Sequence, residues 1–244
     1  MWDASRIRGI LFDVDGTLRD TDDMLVSRLA RWLRPFRFLL VGKSPEQVAR
    51  RVVMALEEPF NTLYAWPDRL GWDAALVRWF AWLGRGLPRR PTSHRLVPGV
   101  RAMLQALQGR YPLAVVSARP EASTRDFLRA FDLEPFFCCV ATAQTCEHTK
   151  PYPDPVLWAA RQMGLPPAHT VMVGDTVVDI RAGRAAGAQT VGVLCGFGEE
   201  EELRRAGADL IVASTPEILP WVRGEGPPGP RQRQPGDKGA AREA

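Results

Sequence analysis

The stretch Ile10-Leu11-Phe12-Asp13-Val14-Asp15-Gly16-Thr17-Leu18 decides the fold. Three large apolar residues run without alternation into two carboxylates one residue apart, followed by Gly-Thr. An unbroken apolar run of this kind reads as a strand buried on both faces, the habit of a parallel sheet. Gly16 allows the tight backbone path required where such a strand gives way to a loop. In open α/β sheets ligands bind at the carboxyl edge of the strands. Asp13 and Asp15 are therefore expected to emerge together at that edge, with little local positive charge to pair them. Buried carboxylates without partners are costly, and a metal ion is the usual remedy. The competing reading is an Asp-Gly turn closing a hairpin, and this stretch alone leaves both open.

The 244 residues allow one large or two modest domains around a substantial core, with apolar and charged content ordinary for a soluble globular protein. No apolar stretch approaches the roughly 20 residues needed to cross a bilayer. The start, Met1 to Arg6, is not a basic segment leading into an apolar signal region. A cytoplasmic protein with no membrane partner is expected. Cys138, Cys139, Cys146 and Cys195 form no Cys-x-x-Cys pair, so zinc is unsupported, and Cys138 and Cys139 are expected to pack as small hydrophobes. The basic excess is local: residues 19–96 carry a net charge of +6 and the remainder −2.

Residues 20–90 read as helical throughout. Leu25, Leu29, Trp32, Leu33 and Phe36 recur at helical spacing, Val48, Val52, Val53 and Leu56 follow an N-cap at Ser44-Pro45, and Trp72 to Leu83 mark a third helix. From Leu96 onward the pattern is α/β. Strands are expected at 113–116, 136–140, 170–173, 190–194 and 210–212, with helices from Val100 and over 124–131, 153–163, 180–186 and 199–205. Such alternation argues for a parallel, doubly wound sheet with right-handed crossovers. Beyond 222 the chain is rich in Gly, Pro, Arg and Gln and is expected to be a disordered tail.

Polar residues close four of the apolar runs: Asp13 and Asp15, then Ser117, Lys150, and Asp175 with Asp179 four residues on. These types suit phosphoryl transfer through a covalent carboxylate. One carboxylate attacks phosphorus, and a second gives a proton to the leaving oxygen and later takes one from water. Lys150 and carboxylate-bound Mg²⁺ offset the phosphoryl charge, and Ser117 and backbone N–H groups add directional hydrogen bonds.

Asp13-Val14-Asp15-Gly16-Thr17, Val115-Val116-Ser117, Lys150-Pro151-Tyr152-Pro153 and Val173-Gly174-Asp175 with Asp179 together resemble, in order and spacing, the four motifs of the haloacid dehalogenase (HAD) superfamily. The resemblance implies a Rossmann-like core over 1–18 and 97–222, an inserted all-helical C1 cap over 19–96, and a tail over 223–244. It implies that Asp13 is the nucleophile and Asp15 the general acid/base. Mg²⁺ would be held by the Asp13 and Asp175 carboxylates and the Asp15 carbonyl, with Asp179 close by. Ser117, Lys150 and the backbone of Ala118 would grip the phosphoryl group. Thr17 would secure the loop.

Asp20-Thr21 and Val97-Pro98-Gly99-Val100 resemble the phosphoglycolate-phosphatase-like branch, which implies a small anionic phosphorylated metabolite as substrate. Arg231 and Arg233 read as part of a solvated tail, so no nucleic-acid partner is expected, and a monomer or homodimer is expected. A phosphosugar mutase needs the same residues, and a non-catalytic binding protein is the remaining alternative. Asp15 argues against dehalogenation and against phosphonate cleavage through Lys43. Arg119 departs from the family's usual residue and reads either as a substrate contact or as a residue at a helix start. His94, His148 and His169 show no metal-ligand pairing.

Overall fold

The computed structural model describes residues 2–20 and 95–226. Its frame is a six-stranded, wholly parallel sheet of β1 (Gly9–Phe12), β4 (Leu113–Val116), β5 (Cys139–Ala141), β6 (Thr170–Gly174), β7 (Gln189–Val193) and β8 (Leu210–Val212). The strand order is β5-β4-β1-β6-β7-β8. The opening strand thus lies inside the sheet, with Ile10 opposite both Leu113 and Val171. Parallel partners on both sides exclude the hairpin reading. From β1 the chain winds outward one way through β4 and β5, then the other way through β6 to β8. The crevice at such a reversal is where doubly wound sheets bind ligands.

The period of two along β1 divides the core. Ile10 and Phe12 join Val100, Met103, Leu104, Leu107, Phe127 and Leu128, which lie on α1 (Val100–Leu107) and α2 (Glu121–Ala130). Leu11 joins Val156 and Ala159 on α3 (Asp154–Gln162) and Ala182 on α4 (Val177–Ala186). Neither face of the strand meets solvent, which is why the run needed no alternation. The helix α5 (Glu200–Ala206) precedes β8, and α6 (Ile218–Val222) packs Ile218 and Val222 into the first cluster.

Three details differ from expectation. The run 136–140 is not one strand: Glu134–Phe136 is a 3₁₀ turn with Pro135 inside it, and pairing begins only at Cys139. Cys138 is accordingly exposed rather than packed. Helices α2 and α4 each start three residues before the expected position, at Glu121 and Val177. Helix α6 was hidden by Pro220, which sits in its first turn, where a missing N–H costs nothing.

Arg19–Asp20 (β2) and Arg95–Leu96 (β3) pair antiparallel as a short ribbon where the chain leaves the sheet domain and returns to it. The expected helices at 25–36, 44–56 and 72–83 lie outside the described residues, as does the tail from 227. Past Val222 the chain is still tied down: Arg223 Nη2 donates to the Ala106 carbonyl at 3.2 Å and Glu225 N–H to the Pro220 carbonyl at 2.9 Å.

Candidate active site

Each side chain is delivered by the carboxyl end of a strand or the loop beyond it. Asp13 follows β1, and its N–H donates to the Val173 carbonyl of β6 at 2.9 Å, which extends the ladder one residue past the strand. The chain then tightens: the N–H groups of Leu18 and Arg19 both reach the Val14 carbonyl, and Gly16 takes a φ of +73°, a left-handed conformation that suits glycine. Ser117 follows β4 and its N–H donates to the Ala141 carbonyl. Asp175 follows β6, and Asp179 stands in the first turn of α4. Lys150 comes from much farther along, out of the long loop between β5 and α3.

Tertiary structure brings Asp13, Lys150, Asp175 and Asp179 together. Lys150 Nζ lies 2.5 Å from Asp13 Oδ1 and 2.6 Å from Asp179 Oδ1, with all three side chains buried. Carboxylate oxygens of Asp13, Asp175 and Asp179 lie within 4.8 Å of one another. Among the described residues, one buried cation therefore faces three buried carboxylates. Burial, opposed by the Lys150 charge but reinforced by Asp179 and Asp15, pushes the Asp13 carboxyl up to about 7. Burial, with the charges of Asp179 and Asp13, likewise raises Asp175 well above the usual carboxylate range. For Lys150 burial works toward the neutral form, but the charges of Asp13 and Asp179 outweigh it and hold the ammonium above its ordinary value.

The four oxygens of Asp175 and Asp179 are used differently. Asp179 Oδ2 accepts from the Thr176 N–H (3.0 Å) and hydroxyl (2.6 Å) in a capping box that starts α4, while its Oδ1 faces Lys150. Asp175 Oδ2 accepts from the Phe197 N–H at 2.7 Å, but its Oδ1 is buried with no hydrogen-bond partner among the described residues. Three glycines close around Asp175. A Cβ on Gly16 or Gly196 would lie 2.1 Å from its Oδ2, and one on Gly198 would lie 2.0 Å from its carbonyl oxygen. An orphaned buried carboxylate oxygen beside a second acidic side chain, with surplus negative charge, fits a hard divalent cation bound through oxygen. Asp179, saturated by Thr176 and Lys150, fits the task of holding the lysine and the loop better than that of a ligand.

Asp15 occupies other surroundings. Its Oδ1 accepts from Arg19 Nη1 at 3.0 Å and from Arg119 Nη1 at 2.9 Å, in a partly exposed position. The expectation that little positive charge pairs these aspartates is thus corrected for Asp15: one arginine stands a turn away in sequence, and the other arrives from the loop after β4. The Arg119 N–H donates to the Ser117 hydroxyl at 3.2 Å, so Ser117, half-buried Ala118 and Arg119 form one turn beside the cluster. Thr17 ties the loop through its carbonyl, which accepts from the Thr215 hydroxyl at 2.6 Å, while its own hydroxyl is buried without a partner. His148 pairs with Asp154 at 3.6 Å and packs on Tyr152.

The four motifs do not include the loop Gly196-Phe197-Gly198 and give Thr176 no role of its own. Two glycines flanking an aromatic residue just past a strand's carboxyl end were the available signal.

The geometry agrees with what comparison of the whole chain finds. Residues 10–193 match the profile of the haloacid dehalogenase-like hydrolases. The chain belongs to that family. It is 32% identical over 213 residues to a probable phosphatase, IndB, of Dickeya dadantii (strain 3937), covering 86% of this chain and 91% of the relative. It is 28% identical to a phosphoglycolate phosphatase of Shigella boydii serotype 4 (strain Sb227), covering 88% and 92%. In fold it is similar to a haloacid dehalogenase-like hydrolase of Streptococcus pneumoniae, with a TM-score of 0.64 at 21% identity, covering 89% of this chain and 99% of that one. Of the four motifs quoted from the sequence, three stand at strand ends and the fourth, Lys150, lies in the loop beyond β5.

Proposed function

We propose that this HAD-family enzyme is a Mg²⁺-dependent phosphatase that hydrolyses a small phosphate monoester through an aspartyl-phosphate. Its standing as a phosphoric monoester hydrolase follows from its family and from relatives that are phosphatases by name. The observation that carries the finer reading is the pairing of Asp13 with Lys150 beside the unpartnered Asp175 oxygen. A nucleophilic carboxylate, a fixed cation and a carboxylate oxygen suited to a hard ion then share one buried crevice.

The Asp13 and Asp175 carboxylates, with the Asp15 backbone carbonyl, would hold Mg²⁺, which when bound supplies positive charge to the phosphoryl oxygens and to the crowded carboxylates. Asp13 contributes an oxygen that bonds to phosphorus as the bond to the leaving oxygen breaks. Asp15, as its carboxylic acid, gives the departing oxygen its proton. In the second half Asp15, now a carboxylate, takes a proton from water. The water oxygen bonds to phosphorus, and the Asp13–phosphorus bond breaks to restore the carboxylate and release phosphate. Lys150 stays charged through both halves, held so by Asp13 and Asp179, and with Ser117 and the Ala118 backbone it orients the phosphoryl group. The basic excess over 19–96 supports recruitment of an anionic substrate, with phosphoglycolate foremost.

The test is phosphate release from a panel of monoesters, comprising phosphoglycolate, sugar phosphates and an aryl phosphate, with Mg²⁺ and with excess chelator. Metal-dependent release from at least one ester is the expected result. A chelator-resistant rate, or isomerised sugar phosphate without free phosphate, would overturn the reading. Among the described residues no helix is long and apolar enough to cross a membrane, which is consistent with assay of the protein free of lipid.

A further inference from the structure

Charge in the crevice is divided unevenly. Around Asp13 one lysine faces three carboxylates. Around Asp15 the ion pairs set two guanidinium groups against one carboxylate oxygen. The first imbalance suits a cation and the second an anion. Arg19 also has a buried Nε with no partner among the described residues, a donor left over where desolvation is costly. Arg119 is fixed by its own N–H to the Ser117 hydroxyl, in the turn assigned to the phosphoryl group. Its side chain and that of Asp15 are 22% and 32% exposed, so the pair is reachable from solvent.

We infer that Arg119, together with Arg19, selects substrates whose leaving group bears its own anion, which takes the guanidinium groups from Asp15 and frees its carboxyl to turn toward the ester oxygen. The inference rests on the phosphatase reading with Asp15 as proton donor. With Oδ1 accepting two N–H donors, the proton falls to the other carboxyl oxygen, whose direction the two ion pairs fix. A proton donor must stand within about 3 Å of the oxygen it serves, and each guanidinium stands within hydrogen-bond distance of Asp15. The arginines are therefore within about 6 Å of the ester oxygen, the reach of a carboxylate or second phosphate on a leaving group of two or three carbons. Such a group offers a guanidinium two parallel, charge-assisted hydrogen bonds and can replace Asp15 as acceptor. A neutral leaving group cannot, and Asp15 stays pinned. Because release of the acid matters in the transition state, the selectivity falls on kcat as well as KM.

The experiment compares 2-phosphoglycolate with 2-hydroxyethyl phosphate, which differs by replacing the carboxylate with a neutral alcohol. Steady-state kinetics are measured in Mg²⁺ for the wild type, Arg119→Met and Arg119→Lys. The wild type should favour phosphoglycolate, Arg119→Met should shrink the ratio of the two kcat/KM values tenfold or more, and Arg119→Lys should recover part of it. In the Asp13→Asn background, calorimetry should show Arg119→Met weakening phosphoglycolate binding about tenfold more than hydroxyethyl phosphate binding. Equal losses for both esters, leaving the ratio unchanged, would make Arg119 a mere support for Asp15 and overturn the inference. A wild type that hydrolyses the panel esters but shows no preference between these two would overturn it equally. A wild type that hydrolyses no ester at all fails the phosphatase reading first and takes this inference with it.

Discussion

Asp13 carries conflicting demands in one carboxyl group. It must be ionised to attack phosphorus, yet burial and two neighbouring aspartates oppose the charge, and among the described residues only Lys150 favours it within hydrogen-bond distance. Asp13→Asn should therefore cut turnover about a thousandfold or more, by removing the nucleophile, while leaving the melting temperature unchanged or higher, because it also removes like-charge repulsion. Phosphate release and a thermal melt read the two halves separately; near-normal release would contradict a covalent role. Asp175 offers a different test. Gly196→Ala would put a methyl carbon 2.1 Å from Asp175 Oδ2, so the carboxylate must move and its hydrogen bond from Phe197 must stretch. The variant should need at least tenfold more Mg²⁺ for half-maximal activity, read by metal titration, with a smaller change in substrate KM at saturating metal. An unaltered metal requirement would show that Asp175 does not bind the ion.

The first turn of α4 links a helix start to the chemistry. Thr176 caps the helix, and the same Asp179 carboxylate that completes the capping box holds Lys150. Thr176→Val keeps the side chain's shape and the N–H donor but deletes the hydroxyl bond at 2.6 Å. It should cost about 1 kcal/mol of stability, the worth of a capping hydrogen bond. A looser Asp179 should also lower kcat about tenfold through misplacement of Lys150. Denaturant melts and kinetics together test the link, and a stability loss with full activity would sever it. The ribbon β2–β3 makes a second connection. Arg19 sits where the chain leaves for residues 21–94 and at the same time touches Asp15, so the crossing to the inserted segment is bonded to the proposed acid.

For the molecule as a whole, the buried acidic cluster makes stability depend on pH and on metal together. Asp13 and Asp175 both titrate higher in the folded chain than the ordinary 3.8 of an unfolded aspartate, Asp13 at about 7. The folded state then binds more protons than the unfolded state above pH 3.8. The stability from these groups is fully present below that pH and is lost as pH rises toward and through 7. In chelator, the melting temperature should fall between pH 5 and pH 8. Added Mg²⁺ should raise it more at pH 8, where the carboxylates are ionised and bind without first losing protons. A metal-induced shift that is larger at pH 5 would contradict this balance.

Much of this molecule was legible in the order of its residues. The apolar runs ending at Asp13, Ser117 and Asp175 identify parallel strands, because a strand buried on both faces needs no alternation, and loops at strand ends carry the polar residues. What the linear order could not show is which charges meet. Lys150 lies far beyond β5 in a loop without periodicity, and Arg119 could as well have faced solvent at a helix start. Pro135 and Pro220 concealed a strand start and a short helix, since their effect depends on which N–H groups are left unpaired. Residues 10–18 alone specify the buried strand and the two carboxylates. Only the crossovers of the doubly wound sheet, by bringing distant loops to one edge, set Lys150 against Asp13 and Arg119 against Asp15, because such charge pairing acts through a few ångströms of space and carries no trace in sequence distance.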